Sequence, residues 1–77
     1  MRDVVLYTRQ GCHLCDDAKG LLEASGLEPR EVDIDQDDQL RIRYNHCVPV
    51  VVIDGVERFR GRIDPVLLGR LLGAGKQ

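Results

Sequence analysis

The chain has 77 residues, 43% of them hydrophobic and 31% charged, with a formal net charge of −2. That leaves room for one modest core and is the composition of a soluble globular chain rather than a disordered one. The near balance of signs, the absence of Trp, and Tyr7, Tyr44 and Phe59 as the aromatics exclude a basic nucleic-acid footprint, a polybasic membrane patch and a base-stacking platform.

The first apolar run, Val4-Val5-Leu6-Tyr7, is too short for a signal-peptide hydrophobic segment, and no stretch approaches a membrane span. Three cysteines, an odd number, do not suggest a secreted disulfide scaffold, so the expected compartment is the cytoplasm.

Val4 to Tyr7 follow a charged start and read as a buried strand. Thr8-Arg9-Gln10-Gly11 form a polar loop, and from Cys12 the pattern becomes helical. Leu14, Ala18, Leu21 and Leu22 recur at i, i+4, i+7 and i+8, the apolar face of an amphipathic helix. Asp16 and Asp17 lie in its first turn, where the helix dipole favours acids, and Ser25-Gly26 predicts its stop. Glu31-Val32-Asp33-Ile34-Asp35 alternates as a half-exposed strand. Together these make a βαβ unit with parallel strands and a right-handed crossover.

Gln36 to Asn45 predicts a weaker helix, with Asp37-Asp38 early and Leu40 and Tyr44 paired at i, i+4. Val48-Pro49-Val50-Val51-Val52-Ile53 is the most β-rich run and reads as a central, doubly buried strand. Asp54-Gly55 predicts a hairpin returning through Val56 to Phe59. Asp64 as cap and Pro65 at the first helical position open a last helix, with Val66, Leu67, Leu71 and either Leu68 or Leu72 inward. Gly73 to Gln77 is expected to fray. The order β-α-β-α-β-β-α predicts one α/β domain over residues 1–77, a four-stranded mixed sheet with helices on its faces.

Gly11-Cys12-His13-Leu14-Cys15 sits between the first strand and the first helix. Thiol–disulfide exchange needs an attacking thiolate, a second thiol within reach and solvent access. Cys12 at the helix start has backbone N–H groups to stabilise its anion, and Cys15 lies one turn on to resolve a mixed disulfide. An exposed helix terminus contributes about 0.3–1 kcal/mol, less than one pKa unit at roughly 1.36 kcal/mol, and Asp16 and Asp17 oppose it. Moderate activation of Cys12 is expected, aided by Arg9 or by the Cys15 thiol.

As a staple the pair has little value. A crosslink closing about four residues contributes roughly 2 kcal/mol, against about 4 kcal/mol for one spanning some 36 residues, such as Cys12 to Cys47. The other readings are a zinc or iron module using Cys12, Cys15 and Cys47, with His46 as a fourth donor, and a redox-inactive domain that binds a partner.

The Leu6-Tyr7-x-Arg9-x-x-Cys12-x-Leu14-Cys15-Asp16 run, with Val48-Pro49-Val50 and the Asp54-Gly55 hairpin, resembles the glutaredoxins of the thioredoxin-fold superfamily. More closely, it looks like a short glutaredoxin-like family, over roughly Val4 to Leu72. The resemblance implies a thioredoxin-like fold and a small thiol–disulfide oxidoreductase, with Cys12 as nucleophile and Cys15 as resolving thiol. It also implies a cis peptide between Val48 and Pro49, and a Val48 backbone that pairs with a substrate as an added strand.

Glutathione is implied as co-substrate, with no other cofactor. Arg9 matches the family's basic position for the tripeptide's carboxylate, with a solvated loop arginine as the other reading. Gly61 and Asp64 match part of the family's Gly-Gly-x-Asp-Asp segment, although Arg60 stands where its first glycine belongs. The expected partner is a disulfide-containing protein or a glutathione mixed disulfide, engaged by a monomer. His13-Leu14 replaces the usual Pro-Tyr, and Cys47 a usual threonine. His13 has two readings, a cation that makes the pair more oxidising or an exposed loop residue. Cys47 reads as a buried small hydrophobe or as the source of an alternative disulfide.

Overall fold

The computed structural model describes residues 3–45 and 47–74. His46 and the end of the tail, residues 75–77, lie outside the described residues. Strand β1 (Val4–Thr8) pairs in parallel with β2 (Arg30–Asp33) on one side and antiparallel with β3 (Val50–Ile53) on the other. Strand β4 (Val56–Arg60) completes a four-stranded sheet of order β2-β1-β3-β4. The mixed sheet expected from the element order is therefore present, with β1 and β3 at its centre.

Alternation along the central strands divides the apolar residues between two faces. Val4 and Leu6 of β1 and Val51 and Ile53 of β3 meet α1 (His13–Ala24) and α3 (Pro65–Ala74) through Ala18, Leu22 and Leu68. Val50 packs on the opposite face with Ile34 and with Tyr44 of α2 (Asp38–Tyr44), and Tyr7, Leu40 and Val52 flank them. The Tyr7 and Tyr44 rings lie 4.9 Å apart, centroid to centroid, and tilted by 32°.

Turn chemistry explains most of the boundaries. Gly26 takes φ 82°, and the Leu27 N–H reaches the Leu22 carbonyl at 3.0 Å, closing α1 as a glycine cap does. Asp54 and Gly55 take φ of 51° and 81°, the left-handed pair that a two-residue hairpin requires. The strand expected to run to Asp35 stops at Asp33. The Asp33 carboxylate accepts the Asp35 N–H at 2.9 Å and starts a single 3-10 turn, Ile34–Gln36, that buries Ile34 completely. The third strand begins at Val50 rather than Val48, and the Val48–Pro49 peptide before it is cis.

Two helical faces differ from expectation. Cys15, Ala18 and Leu22 form the buried stripe of α1, while Leu14 is 40% exposed. At 100° per residue Leu14 falls on the flank of that stripe, and the sulfur beside it takes the inward place. In α3, Leu68 is buried with Leu71 and Leu72 packed partly against the core, while Val66 and Leu67 are 63% and 50% exposed. The apolar residues of this helix spread well beyond one face, so periodicity does not select a single stripe; the sheet accepts the one at i, i+3 and i+4. Gly73 and Ala74, expected to fray, belong to α3.

Asp64 caps α3 as expected, its Oδ1 accepting the N–H groups of Val66 (2.9 Å) and Leu67 (3.4 Å). Asp64→Ala is expected to lower stability by about 1 kcal/mol, the usual loss of an N-cap, measured by urea denaturation with an unchanged m-value. Asp64→Asn should recover most of it.

Candidate active site

The loop leaving β1 delivers Cys12 to the N-cap of α1. Its backbone is extended (φ −91°, ψ 107°), and its Sγ accepts the Cys15 backbone N–H at 3.2 Å. The first turn of the helix thus offers a donor to the sulfur at its mouth. Cys12 is partly exposed, Cys15 is 2% exposed, and both are thiols. The two cysteines that the motif pairs are therefore unequal in burial.

Burial, first of all, pushes the Cys15 thiol up, and the adjoining Cys12 sulfur pushes in the same direction. The Thr8 hydroxyl and the Arg9 backbone N–H act on Cys15 in the opposite sense, favouring its anion. Asp16 and Asp17 are exposed, and so is His13 at the first residue of α1.

Arg9 is not a free loop cation. Its Nε donates to Asp35 Oδ2 at 2.9 Å, its Nη2 to Asp35 Oδ1 at 2.8 Å, and its Nη1 to the Asn45 carbonyl at 3.2 Å. These bonds hold the Arg9 guanidinium above its usual pKa and the Asp35 carboxyl below its own. The sequence does not announce this pair, because Asp35 sits 26 positions from Arg9 and alternation places it in a strand.

Pro49 is fully buried and Val48 partly so. The Gly61 N–H donates to the Pro49 carbonyl at 2.7 Å, tying the end of β4 to the Val48–Pro49 segment. Gly61 thus joins the proline loop, whereas the Asp64 carboxylate is taken up by the start of α3. Beside Leu14, a groove of about 280 Å³ is lined by Ala18, Leu21, Arg62, Ile63 and Pro65 as well as Asp17; periodicity alone places Leu14 in the core, and the structure places it on the groove wall.

Cys47 packs against the Ile34–Tyr44–Val50 cluster, and its sulfur lies 3.7 Å from Arg60 Nη1, a guanidinium also held by Glu57. Among the described residues no three Cys, His, Asp or Glu side chains gather as a metal-holding group. Cys12, Cys15 and Cys47 therefore do not form the three-thiol set considered above, and His46 lies outside the described residues. No described helix is long and apolar enough to cross a membrane.

A four-stranded mixed sheet between helices, with a Cys-x-x-Cys pair opening α1 and a cis-proline before β3, defines a glutaredoxin-like protein of the thioredoxin fold. The chain belongs to the Glutaredoxin-like domain (DUF836) family, whose model matches residues 3–73. Among solved structures it is similar to protein Ne2328 of Nitrosomonas europaea, with 29% identity over 91% of this chain and 89% of that one, at a TM-score of 0.78. It is also similar to the glutaredoxin-like NrdH-redoxin of Escherichia coli, with 25% identity over 90% and 93% of the two chains and a TM-score of 0.67. A glutaredoxin of Archaeoglobus fulgidus shares the fold at 20% identity over 94% and 87%, with a TM-score of 0.67. No curated protein matches the chain.

Proposed function

We propose that the protein is a small thiol–disulfide oxidoreductase in which Cys12 attacks a substrate disulfide and Cys15 resolves the product. The observation that carries this reading is the asymmetry of the pair: the sulfur of the partly exposed Cys12 accepts the backbone N–H of the buried Cys15. Cys12 attacks one substrate sulfur, the substrate S–S bond breaks and one substrate thiolate leaves. Burial and the neighbouring Cys12 sulfur hold Cys15 as a thiol until then. Once Cys12 is in the mixed disulfide, Cys15 gives its proton to solvent and attacks the Cys12 sulfur. The Cys12–Cys15 disulfide forms, the second substrate thiolate leaves, and the substrate has gained two electrons.

A disulfide in a polypeptide is the substrate that the surroundings suit best. The apolar groove beside Leu14 suits a peptide side chain, and the Val48 backbone offers the place for a strand to align. NrdH-redoxin, described as glutaredoxin-like with a thioredoxin-like activity profile, supports the same choice. Glutathione mixed disulfides are the second substrate class. For the tripeptide's carboxylate to use Arg9 it must displace Asp35 from both arms of the guanidinium.

Cys15→Ser incubated with oxidised glutathione is expected to accumulate a mixed disulfide on Cys12, located by peptide mass spectrometry. No adduct, or an adduct on Cys47 alone, would overturn the assignment. Comparing insulin reduction with turnover of a small glutathione mixed disulfide then ranks the two substrate classes.

A further inference from the structure

Arg9 stands at the edge of the dithiol loop with its charge already taken up. Arg9-Gln10-Gly11-Cys12 is a tight turn: the Arg9 carbonyl accepts the Cys12 N–H at 3.3 Å, and Gly11 takes φ 77° at the third position. Such a turn keeps its first and last Cα atoms within about 7 Å of each other. The guanidinium also meets the chain leading to the proline loop, its Nη1 donating at 3.2 Å to the carbonyl of Asn45, a few positions before Val48. Arg9 thus borders both segments that a disulfide on Cys12 would pass.

A guanidinium so placed is the natural partner of a substrate carboxylate, since its parallel N–H groups match two carboxylate oxygens. Asp35 has that place instead. It accepts from Nε at 2.9 Å and from Nη2 at 2.8 Å. The two side chains are 31% and 38% exposed, so a solute can reach the pair while its donors are in use. Asp35 is fixed there by its own turn, its N–H bonded to the Asp33 carboxylate at 2.9 Å and the preceding Ile34 fully buried. A cavity of about 180 Å³ beside the loop is lined by Asp16, Glu31 and Asp33 as well as Arg9, and Lys19 balances Glu31 at 3.1 Å. An anion arriving there meets like charge rather than a free cation.

We propose that Asp35 is a specificity-determining residue: as a resident carboxylate on the Arg9 fork, it turns the exchange site away from disulfides that carry a carboxylate near the sulfur and toward uncharged ones. The inference rests on the thiol–disulfide reading above and chooses among its substrates. A disulfide within a polypeptide has amides beside its cysteines, whereas glutathione disulfide has carboxylates on the flanking residues. The exchange is the same for both. Cys12 attacks, the substrate S–S bond breaks, and Cys15 then displaces the second substrate sulfur from Cys12. The two electrons released in forming the Cys12–Cys15 bond reduce the substrate, and the two thiol protons pass to it through solvent. Asp35 takes no part in these steps; it sets which disulfide settles beside Cys12.

Two small disulfides separate charge from reactivity. Hydroxyethyl disulfide is uncharged, and dithiodipropionate carries a carboxylate on each arm. The reduced full chain, in a Cys47→Ser background, is mixed with either one, and its oxidation is timed by acid quench, alkylation and intact mass. Asp35→Asn is expected to raise the dithiodipropionate rate constant about fivefold, the scale of one exposed charged pair, and to leave that of hydroxyethyl disulfide within about twofold. The added rate should be lost as sodium chloride screens the freed guanidinium. Asp35→Glu, which keeps a carboxylate, should hold the ratio of the two rate constants near that of the parent. If Asp35→Asn does not fold, the parent decides the question: its dithiodipropionate rate should stay level or rise with salt, and a falling rate would reveal a free Arg9 fork. That fall, an unchanged ratio in folded Asp35→Asn, or an equal change with both disulfides would overturn the role of Asp35. Failure of hydroxyethyl disulfide to oxidise the parent would overturn the redox reading instead.

Discussion

Cys12→Ser is expected to reduce insulin no faster than dithiothreitol alone, followed as the turbidity of the precipitating chains. A serine hydroxyl at the same N-cap position accepts the Cys15 N–H but forms no disulfide, so the covalent route is lost rather than slowed. Cys15→Ser should also fail to turn over, for a different reason: it forms the Cys12 adduct once and cannot release it internally. Cys47→Ser should stay within about twofold of the parent, because Cys47 packs on the Ile34–Tyr44–Val50 face and contacts Arg60, whereas the Cys12 sulfur is bonded within α1. Residual turnover in Cys12→Ser that disappears on adding Cys47→Ser would mean that Cys47 is a second nucleophile.

The contrast between these variants follows a line between what is local in the chain and what is not. Asp54-Gly55, Ser25-Gly26 and Asp64-Pro65 announce their turns and caps because the deciding groups lie within a few residues of one another. The strands β1 and β3 announce themselves by composition, and the Cys12–Cys15 spacing by the geometry of one helical turn. Local rules reach less far at Leu14 and Cys15, adjacent residues of similar apolar character whose burial is decided by which one meets the sheet. They do not reach Arg9 and Asp35 at all, nor Gly61 and Pro49, since these pairs exist only once the sheet has brought their elements together. The Cys-x-x-Cys spacing is therefore legible in the sequence, while these long-range contacts exist only in three dimensions.

The same line gives the largest expected effect on stability. Leu22 is fully buried, packed from α1 among Leu6, Val51, Ile53 and Leu68. Truncating such a leucine to alanine costs about 2–5 kcal/mol through lost transfer energy and the cavity left behind. A chain of 77 residues has roughly 4–12 kcal/mol in total at about 0.05–0.15 kcal/mol per residue. Leu22→Ala should therefore lower the Tm by more than about 10 °C, or leave the protein unfolded at assay temperature. Leu14→Ala, from a position that shares the periodicity of Leu22, should cost under about 1 kcal/mol, because the side chain it shortens is 40% exposed and solvent fills the space. Measured together by thermal denaturation of the reduced protein, the pair tests the inward stripe of α1 directly. Equal losses would place Leu14 in the core rather than on the wall of the groove between α1 and the start of α3. A large loss confined to Leu22 would place the inward stripe of α1 on Leu22 and leave Leu14 on the wall of the groove that it shares with Ala18, Leu21, Ile63 and Pro65.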